Sequence, residues 1–152
     1  MTHAYVSAHA VSAFINRPIG EVFDFLTTAS NWPQWHPATV SVSGAVFHPA
    51  IEGETIVEKV RYGIARDTFP WKVVECQAPK RWAIRAASDR HGQKVKIAYT
   101  LTPENGGTRW EREMSFYLPK SLVFLDKLVF GRLLRRNSET AVRQLKELME
   151  SY

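Results

Sequence analysis

The chain has 152 residues, of which 45% are hydrophobic, so it can bury one hydrophobic core and does not have the composition of a disordered protein. Its only cysteine, Cys76, excludes a disulfide framework and a cysteine-based metal site. The formal net charge is +5, but the positive residues are scattered and no nucleic-acid-binding motif occurs. We therefore expect a single domain over residues 1–152 with no nucleic-acid partner.

The amino-terminal region predicts a strand followed by a short helix. Residues 5–15 alternate between small or apolar and other side chains, as in a half-buried strand. Pro18 suits the first turn of a helix, where the missing N–H removes no hydrogen bond. Val22 and Leu26 follow at helical spacing, which predicts a helix that ends near Thr28.

An aromatic turn, NWPQWHP at residues 31–37, follows this helix. It places Trp32 and Trp35 three residues apart directly after a short helix. Side chains of this size must be buried against another element, and a curved sheet is the expected receiver. We therefore predict that Trp35 is buried and structural.

The middle of the chain predicts antiparallel strands joined by hairpins. The clearest strand covers residues 94–102, and Asn105-Gly106-Gly107 is a strong turn signal before the next strand. Pro70 interrupts another strand and predicts either an edge position or a bulge, because proline has no N–H for the ladder. The predicted strands cover residues 39–46, 54–62, 67–76, 81–88, 94–102 and 108–117.

From Pro119 the hydrophobic period becomes helical and continues almost to the carboxyl terminus. About thirty helical residues would span about 45 Å, which is long for a chain of this size. Gly131 interrupts the pattern, and a bend is expected there because glycine weakens a helix interior. A helix of this length can lie across the concave face of a curved sheet.

This order of elements predicts an α+β fold rather than alternating β-α-β units. We expect a curved antiparallel sheet of about six or seven strands wrapped around a long C-terminal helix, with one or two short helices after the first strand. The space between such a sheet and helix is a common place for a small ligand.

The chain resembles the START-like superfamily, also described as SRPBCC or polyketide cyclase/dehydrase and lipid-transport proteins. The matching segments, in order, are VSAFINRP, IGEVFDFLTT, NWPQWHP, YTLTPENGGTRWE and AVRQLKELMESY. The resemblance covers nearly the whole chain and implies a helix-grip fold that encloses an apolar cavity. The superfamily includes binders, carriers and a few cyclases without a universal catalytic motif, so the resemblance assigns no catalytic residue.

Strand alternation predicts which side chains face this cavity. If Trp110 and Met114 look inward, Arg112 between them does too, and Glu58 and Tyr62 share a face of their own strand. A buried charge is costly unless it is paired, so Arg112 either anchors an acidic or enolisable ligand or pairs with Glu58. The predicted ligand-binding residues are Phe23, Glu58, Tyr62, Trp71, Tyr99, Trp110, Arg112 and Met114.

The histidines predict no metal site, since no HxxxH or HExxH spacing occurs. No phosphate-binding glycine loop is present either, so we predict neither a metal nor an organic cofactor. His36 lies beside the aromatic turn but has no acidic neighbour in sequence. We interpret it as a loop residue near the cavity rim rather than as a general base.

Three functions are compatible with these features. The favoured one is binding of a small hydrophobic molecule (a lipid, a polyketide or an isoprenoid-like ligand) in the cavity. The second is a metal-independent polyketide cyclase or dehydratase, which perturbed ionisable groups in the cavity would favour. The third is a lipid- or quinone-handling partner protein at a membrane, suggested by SLVFLDKLVFGRLL and Arg132, Arg135 and Arg136. A signal peptide and a spanning helix are not expected, and the cytoplasm is the expected location.

Overall fold

The computed structural model describes residues 5–87, 94–118 and 131–151. In this part of the chain, seven strands form one antiparallel sheet. The strands are β1 (Tyr5–Ile15), β2 (Thr39–Gly44), β3 (Thr55–Tyr62), β4 (Ala65–Gln77), β5 (Arg81–Ala87), β6 (Lys94–Glu104) and β7 (Gly107–Leu118). Their order in the sheet is β1-β7-β6-β5-β4-β3-β2, so the first strand pairs with the last. The predicted curved antiparallel sheet is confirmed.

The helices lie at the two ends of the sequence. Between β1 and β2 come α1 (Ile19–Thr27), a 3-10 turn (Ala29–Asn31) and the one-turn helix α2 (Trp32–Trp35). The C-terminal helix α3 (Gly131–Glu150) packs against β1 and α2. Its buried residues recur every three or four positions, as expected for a helix with one face on a sheet: Leu134, Ser138, Ala141, Val142, Leu145 and Met149.

The helix-grip arrangement is therefore confirmed. The predicted helical residues before Gly131, and the bend expected there, lie outside the described residues. Within the described residues, no helix combines the length and hydropathy needed to cross a lipid bilayer.

Two strand details differ from the prediction. The strand predicted over residues 39–46 ends at Gly44, where φ is 96° and a Cβ atom would lie 2.6 Å from the carbonyl oxygen of Thr55. Pro70 is not on an edge strand, because β4 lies between β3 and β5. Pairing of β4 with β5 begins only at Lys72, and the register shifts between Val73 and Glu75. Pro70 thus has a ladder partner on the β3 side alone, which accommodates its missing N–H.

A continuous aromatic cluster joins α2 to the sheet. It consists of Trp32, Trp35, Trp82, Tyr99 and Trp110. Trp35 meets Trp110 edge-on at 5.8 Å, and Trp110 meets Tyr99 edge-on at 5.3 Å. Tyr99 stacks on Trp82, which in turn meets Trp32. Trp35 is 1% exposed, so its predicted burial is confirmed.

Candidate functional site

A small inner cavity lies next to the aromatic cluster. Its volume is about 30 Å³, which is room for about one water molecule. The strands β3 to β7, the helix α2 and the residue after it supply the lining: Trp32, Trp35, His36, Glu58, Tyr62, Phe69, Trp71, Ile84, Val95, Ile97, Tyr99, Arg112 and Met114.

A second, outer cavity of about 150 Å³ lies beside the inner one. Leu133 and Leu134 of α3 contribute to its lining, together with the end of the β3–β4 hairpin. The two cavities share Tyr62, Phe69, Val95 and Met114. They are therefore adjacent compartments on the inner side of the sheet, the inner one beside α2 and the outer one beside α3.

Six of the eight residues predicted to bind a ligand line the inner cavity: Glu58, Tyr62, Trp71, Tyr99, Arg112 and Met114. Phe23 and Trp110 do not. Phe23 is buried in α1, and Trp110 lies beneath Trp35 and Tyr99 in the aromatic cluster. Alternation and helical spacing show that a residue is buried, but not what it packs against, so a ligand-binding role for these two residues stays a prediction.

Arg112 supplies a buried positive charge without a carboxylate partner. Its side chain is in β7, and the residue is only 2% exposed. Nη1 donates to Oγ of Ser138, and Nη2 lies 3.4 Å from Nε2 of His36. Its Nε is buried and has no acceptor. No ion pair joins Arg112 to any carboxylate in the described part of the chain.

Glu58 is buried in β3 and has other partners. It accepts hydrogen bonds from Oγ1 of Thr39 at 2.5 Å and from Nε1 of Trp71 at 2.9 Å. Burial raises the pKa of this carboxyl, while the two hydrogen bonds and the charge of Arg112 act in the opposite direction. The predicted alternative in which Arg112 pairs directly with Glu58 is wrong, because each side chain is held by neutral groups instead.

His36 belongs to the site more closely than its sequence context indicated. It follows α2, meets the ring of Trp35 edge-on and lines the inner cavity. Burial, and secondarily Arg112, lower the pKa of His36 to about 3, so the imidazole is neutral at physiological pH. Both ring nitrogens of His36 face hydrogen-bond donors: Nδ1 lies 3.3 Å from the backbone nitrogen of Ala38, and Nε2 faces Nη2 of Arg112. A neutral imidazole can accept a hydrogen bond at only one of its two nitrogens. One of these two contacts therefore lacks a hydrogen bond.

Ser138 connects this site to α3. Its Oγ accepts from Arg112 and lies 2.9 Å from Nε2 of His9 in β1. Burial, and secondarily Arg112, lower the pKa of His9, which favours the neutral ring. A neutral His9 can accept a hydrogen bond from the hydroxyl of Ser138. Sequence reasoning missed Ser138. The available signal was a hydroxyl on the apolar face of the helix, between Leu134 and Ala141.

The unmatched polar atoms at this site are all donors. Besides Nε of Arg112, the indole Nε1 of Trp35 is buried without an acceptor, and so is that of Trp110 in the adjoining aromatic cluster. Each oxygen of Glu58 already accepts one hydrogen bond. The tyrosines remain neutral phenols, since burial is the largest influence on the pKa of Tyr62 and of Tyr99 and raises both. The arrangement is therefore suited to a group that accepts hydrogen bonds.

Comparison with known families assigns the chain to one of them. The sequence profile of the polyketide cyclase/dehydrase and lipid transport family matches residues 8–150. The chain belongs to this family. The START-like resemblance drawn from sequence is thereby confirmed. Comparison with curated proteins gives no match.

Several solved structures share this fold. The protein TTHA0849 from Thermus thermophilus has a TM-score of 0.78 at 14% identity, over 95% of this chain and 98% of that chain. The di-domain ARO/CYC StfQ from the steffimycin biosynthetic pathway has a TM-score of 0.75 at 13% identity, over 96% of this chain and 51% of its own. Ara h 8.0201 has a TM-score of 0.68 at 12% identity, over 97% and 100%. At these identities the likeness shows the fold alone.

The described residues contain no candidate metal site. In residues 5–87, 94–118 and 131–151, no three His, Cys, Asp or Glu side chains are grouped as metal ligands. The polar groups that the cavity itself presents are the Arg112 guanidinium, the Glu58 carboxyl and the neutral His36 imidazole.

Proposed function

We propose that the protein binds a small, largely apolar molecule that presents a carboxylate, carbonyl or enolate oxygen to Arg112. The observation that carries this proposal is the buried guanidinium whose Nε has no acceptor and which forms no ion pair within the described residues. A guanidinium cannot relieve its burial by losing a proton. An acceptor on a ligand would supply the partner that the protein does not.

The size of the two cavities suggests how such a molecule lies. The inner cavity holds about 30 Å³, so it accommodates a single polar group without rearrangement. The outer cavity, at about 150 Å³, is lined mainly by apolar side chains such as Phe69, Met114 and the leucines of α3, with Arg66 and Asp67 also in its lining, and suits a largely apolar body. Cavities that enclose drug-sized ligands are typically about 300–1,000 Å³, so a larger ligand requires movement of the lining side chains.

A cyclase or dehydratase activity is a second candidate, supported by the ionisable groups that converge on the inner cavity. Burial raises the pKa of Glu58 and so favours its protonated form, and the neutral imidazole of His36 lines the same cavity. Arg112 would stabilise the enolate that forms when a proton is removed beside a carbonyl. The membrane-associated alternative draws on the segment before Gly131, which lies outside the described residues.

Calorimetric titration with two ligands of matched shape tests the binding proposal. We expect 1-naphthoate to bind more tightly than 1-methylnaphthalene, because only naphthoate offers oxygens to Arg112. Arg112→Met should weaken naphthoate binding by about tenfold or more, equivalent to about 1.4 kcal/mol, and leave methylnaphthalene unchanged.

Arg135→Met is the matched control, since Arg135 is exposed on α3 and pairs with Glu139. Equal affinity of wild type and Arg112→Met for naphthoate would contradict the proposal. Native mass spectrometry of the purified protein would then identify any natural ligand, and turnover of that ligand, lost in Glu58→Gln, would favour the enzyme.

A further inference from the structure

A basic groove lies on the convex face of the sheet, on the side away from the cavities. We define it by the four exposed cations Lys72, Arg85, Lys94 and Lys96. Its volume is about 520 Å³, and no Asp or Glu of the described residues lines it. Its position on β4, β5 and β6 separates it from Arg112.

Strand register brings like charges together in the basic groove. Lys72 is directly opposite Arg85, and Arg85 is directly opposite Lys96. Three cations therefore form a straight row across three neighbouring strands. Like charges in directly opposite positions destabilise a sheet, so this row opposes folding rather than supporting it.

The cations of the basic groove differ from other arginines of the same sheet. Arg81 pairs with Glu75 at 3.0 Å, and Arg109 pairs with Glu104 at 2.9 Å. In contrast, none of the four groove cations forms an ion pair with a described residue. A costly arrangement that the fold leaves uncompensated is typical of a functional site.

The remaining lining indicates what accompanies the negative charge. Pro70, Ala87 and partly exposed Tyr117 give the groove an apolar floor between its cations. The volume lies within the usual range for small-molecule sites. The groove has room for a small molecule between its side chains, so we favour such a molecule over a flat lipid surface. The row crosses two strand spacings, or about 10 Å, which is longer than a single phosphate group.

We propose that the basic groove is a second binding site, for an organic diphosphate or triphosphate. Lysine and arginine would hold the phosphate groups along the row, and the apolar floor would contact the organic part. This site is separate from the acceptor site at Arg112 and does not depend on the proposed function.

Calorimetry with four probes at constant ionic strength tests this proposal. The probes are ATP, geranyl diphosphate, inorganic triphosphate and inorganic pyrophosphate. We expect ATP to bind at least tenfold more tightly than inorganic triphosphate, or geranyl diphosphate at least tenfold more tightly than inorganic pyrophosphate. The organic probe that binds shows whether the groove prefers a nucleoside or an isoprenoid group. Arg85→Glu should reduce this affinity at least tenfold. Arg143→Glu makes the same charge change on the exposed face of α3 and should alter the affinity less than twofold.

Arg85→Glu is expected to fold, since it removes repulsion from the row, and Arg85→Met provides a second variant if it does not. The proposal is overturned if no organic phosphate binds, if the inorganic ions bind equally well, or if Arg85 variants bind normally. Loss of binding in Arg112→Met would place the phosphate in the inner cavity and also overturn it. Binding only to vesicles containing phosphatidylglycerol would show that the groove meets a lipid surface instead.

Discussion

The aromatic cluster and the polar end of the inner cavity are both buried, but the first consists of packed rings and the second of charged and polar side chains. In the cluster, rings meet at 5.3 to 6.3 Å, and Trp32 and Trp82 donate hydrogen bonds to backbone carbonyls. At the polar end, Arg112 and Glu58 are 2% and 6% exposed, yet they are not paired with each other. Both regions draw on β7, where Trp110 and Arg112 are two residues apart.

The aromatic cluster stabilises the fold, whereas the buried charge of Arg112 lowers its stability. Burial of large apolar rings is favourable, whereas burial of a charge without a counter-ion costs free energy. A region that is buried at a cost is the better candidate for a function. The following experiments test that distinction, beginning with the largest expected effect.

Truncation within the aromatic cluster should be the most damaging change. We expect Trp35→Ala to lower the free energy of unfolding by about 3–5 kcal/mol, because a fully buried ring leaves a cavity behind. Denaturant titration measures this. Phe47→Ala is the control, since Phe47 is 85% exposed and should change stability by less than about 0.5 kcal/mol. A loss below about 1 kcal/mol for Trp35→Ala would show that the cluster is not the main support of α2.

His36 should make stability depend on pH. The pKa of His36 is lowered to about 3 in the folded protein, whereas an unfolded histidine titrates near 6.5. The unfolded state therefore binds a proton first as pH falls, and stability present above about pH 6.5 is lost between about pH 6.5 and 3.

The loss attributable to His36 should approach about 1.4 kcal/mol per pH unit within that window. We expect His36→Gln to flatten this part of the profile, and His48→Gln, on the exposed loop after β2, to leave it steep. Parallel profiles for wild type and His36→Gln would mean that His36 is solvated in the folded state.

A double-mutant cycle tests whether Arg112 and Glu58 act independently. Because Glu58 keeps Thr39 and Trp71, Arg112→Met does not strand it, and replacing a buried charge by an apolar side chain is often neutral or stabilising. We expect a coupling energy with Glu58→Gln below about 1 kcal/mol in denaturant titrations. Coupling of several kcal/mol would reveal a direct ion pair and weaken the case for a ligand acceptor.

The smallest expected effect is that of a chelator. Since neither the sequence nor the described residues contain a metal-ligand cluster, thermal melts with and without EDTA should superimpose. A large downward shift with EDTA would show that a bound metal supports the fold.

Much of the fold could be predicted because its signals are local. Alternation at a period of two places Glu58, Tyr62 and Arg112 on inner faces, and the β6–β7 turn follows from Asn105 and Gly106, which adopt φ values of 47° and 79°. The site was only partly predictable. The surroundings of Pro70, Phe23 and Trp110 could not be predicted, because each depends on which elements become neighbours.

What the sequence by itself determined is the α+β order of elements, the faces of the strands and the presence of a charge among inward apolar residues. What only the tertiary structure decided is how that charge is held. Arg112 meets His36 across 76 positions and Ser138 across 26, while Glu58 takes Thr39 across 19. The physical reason is that side-chain periodicity is a property of neighbouring residues, whereas hydrogen-bond partners of a buried group depend on elements brought together by folding.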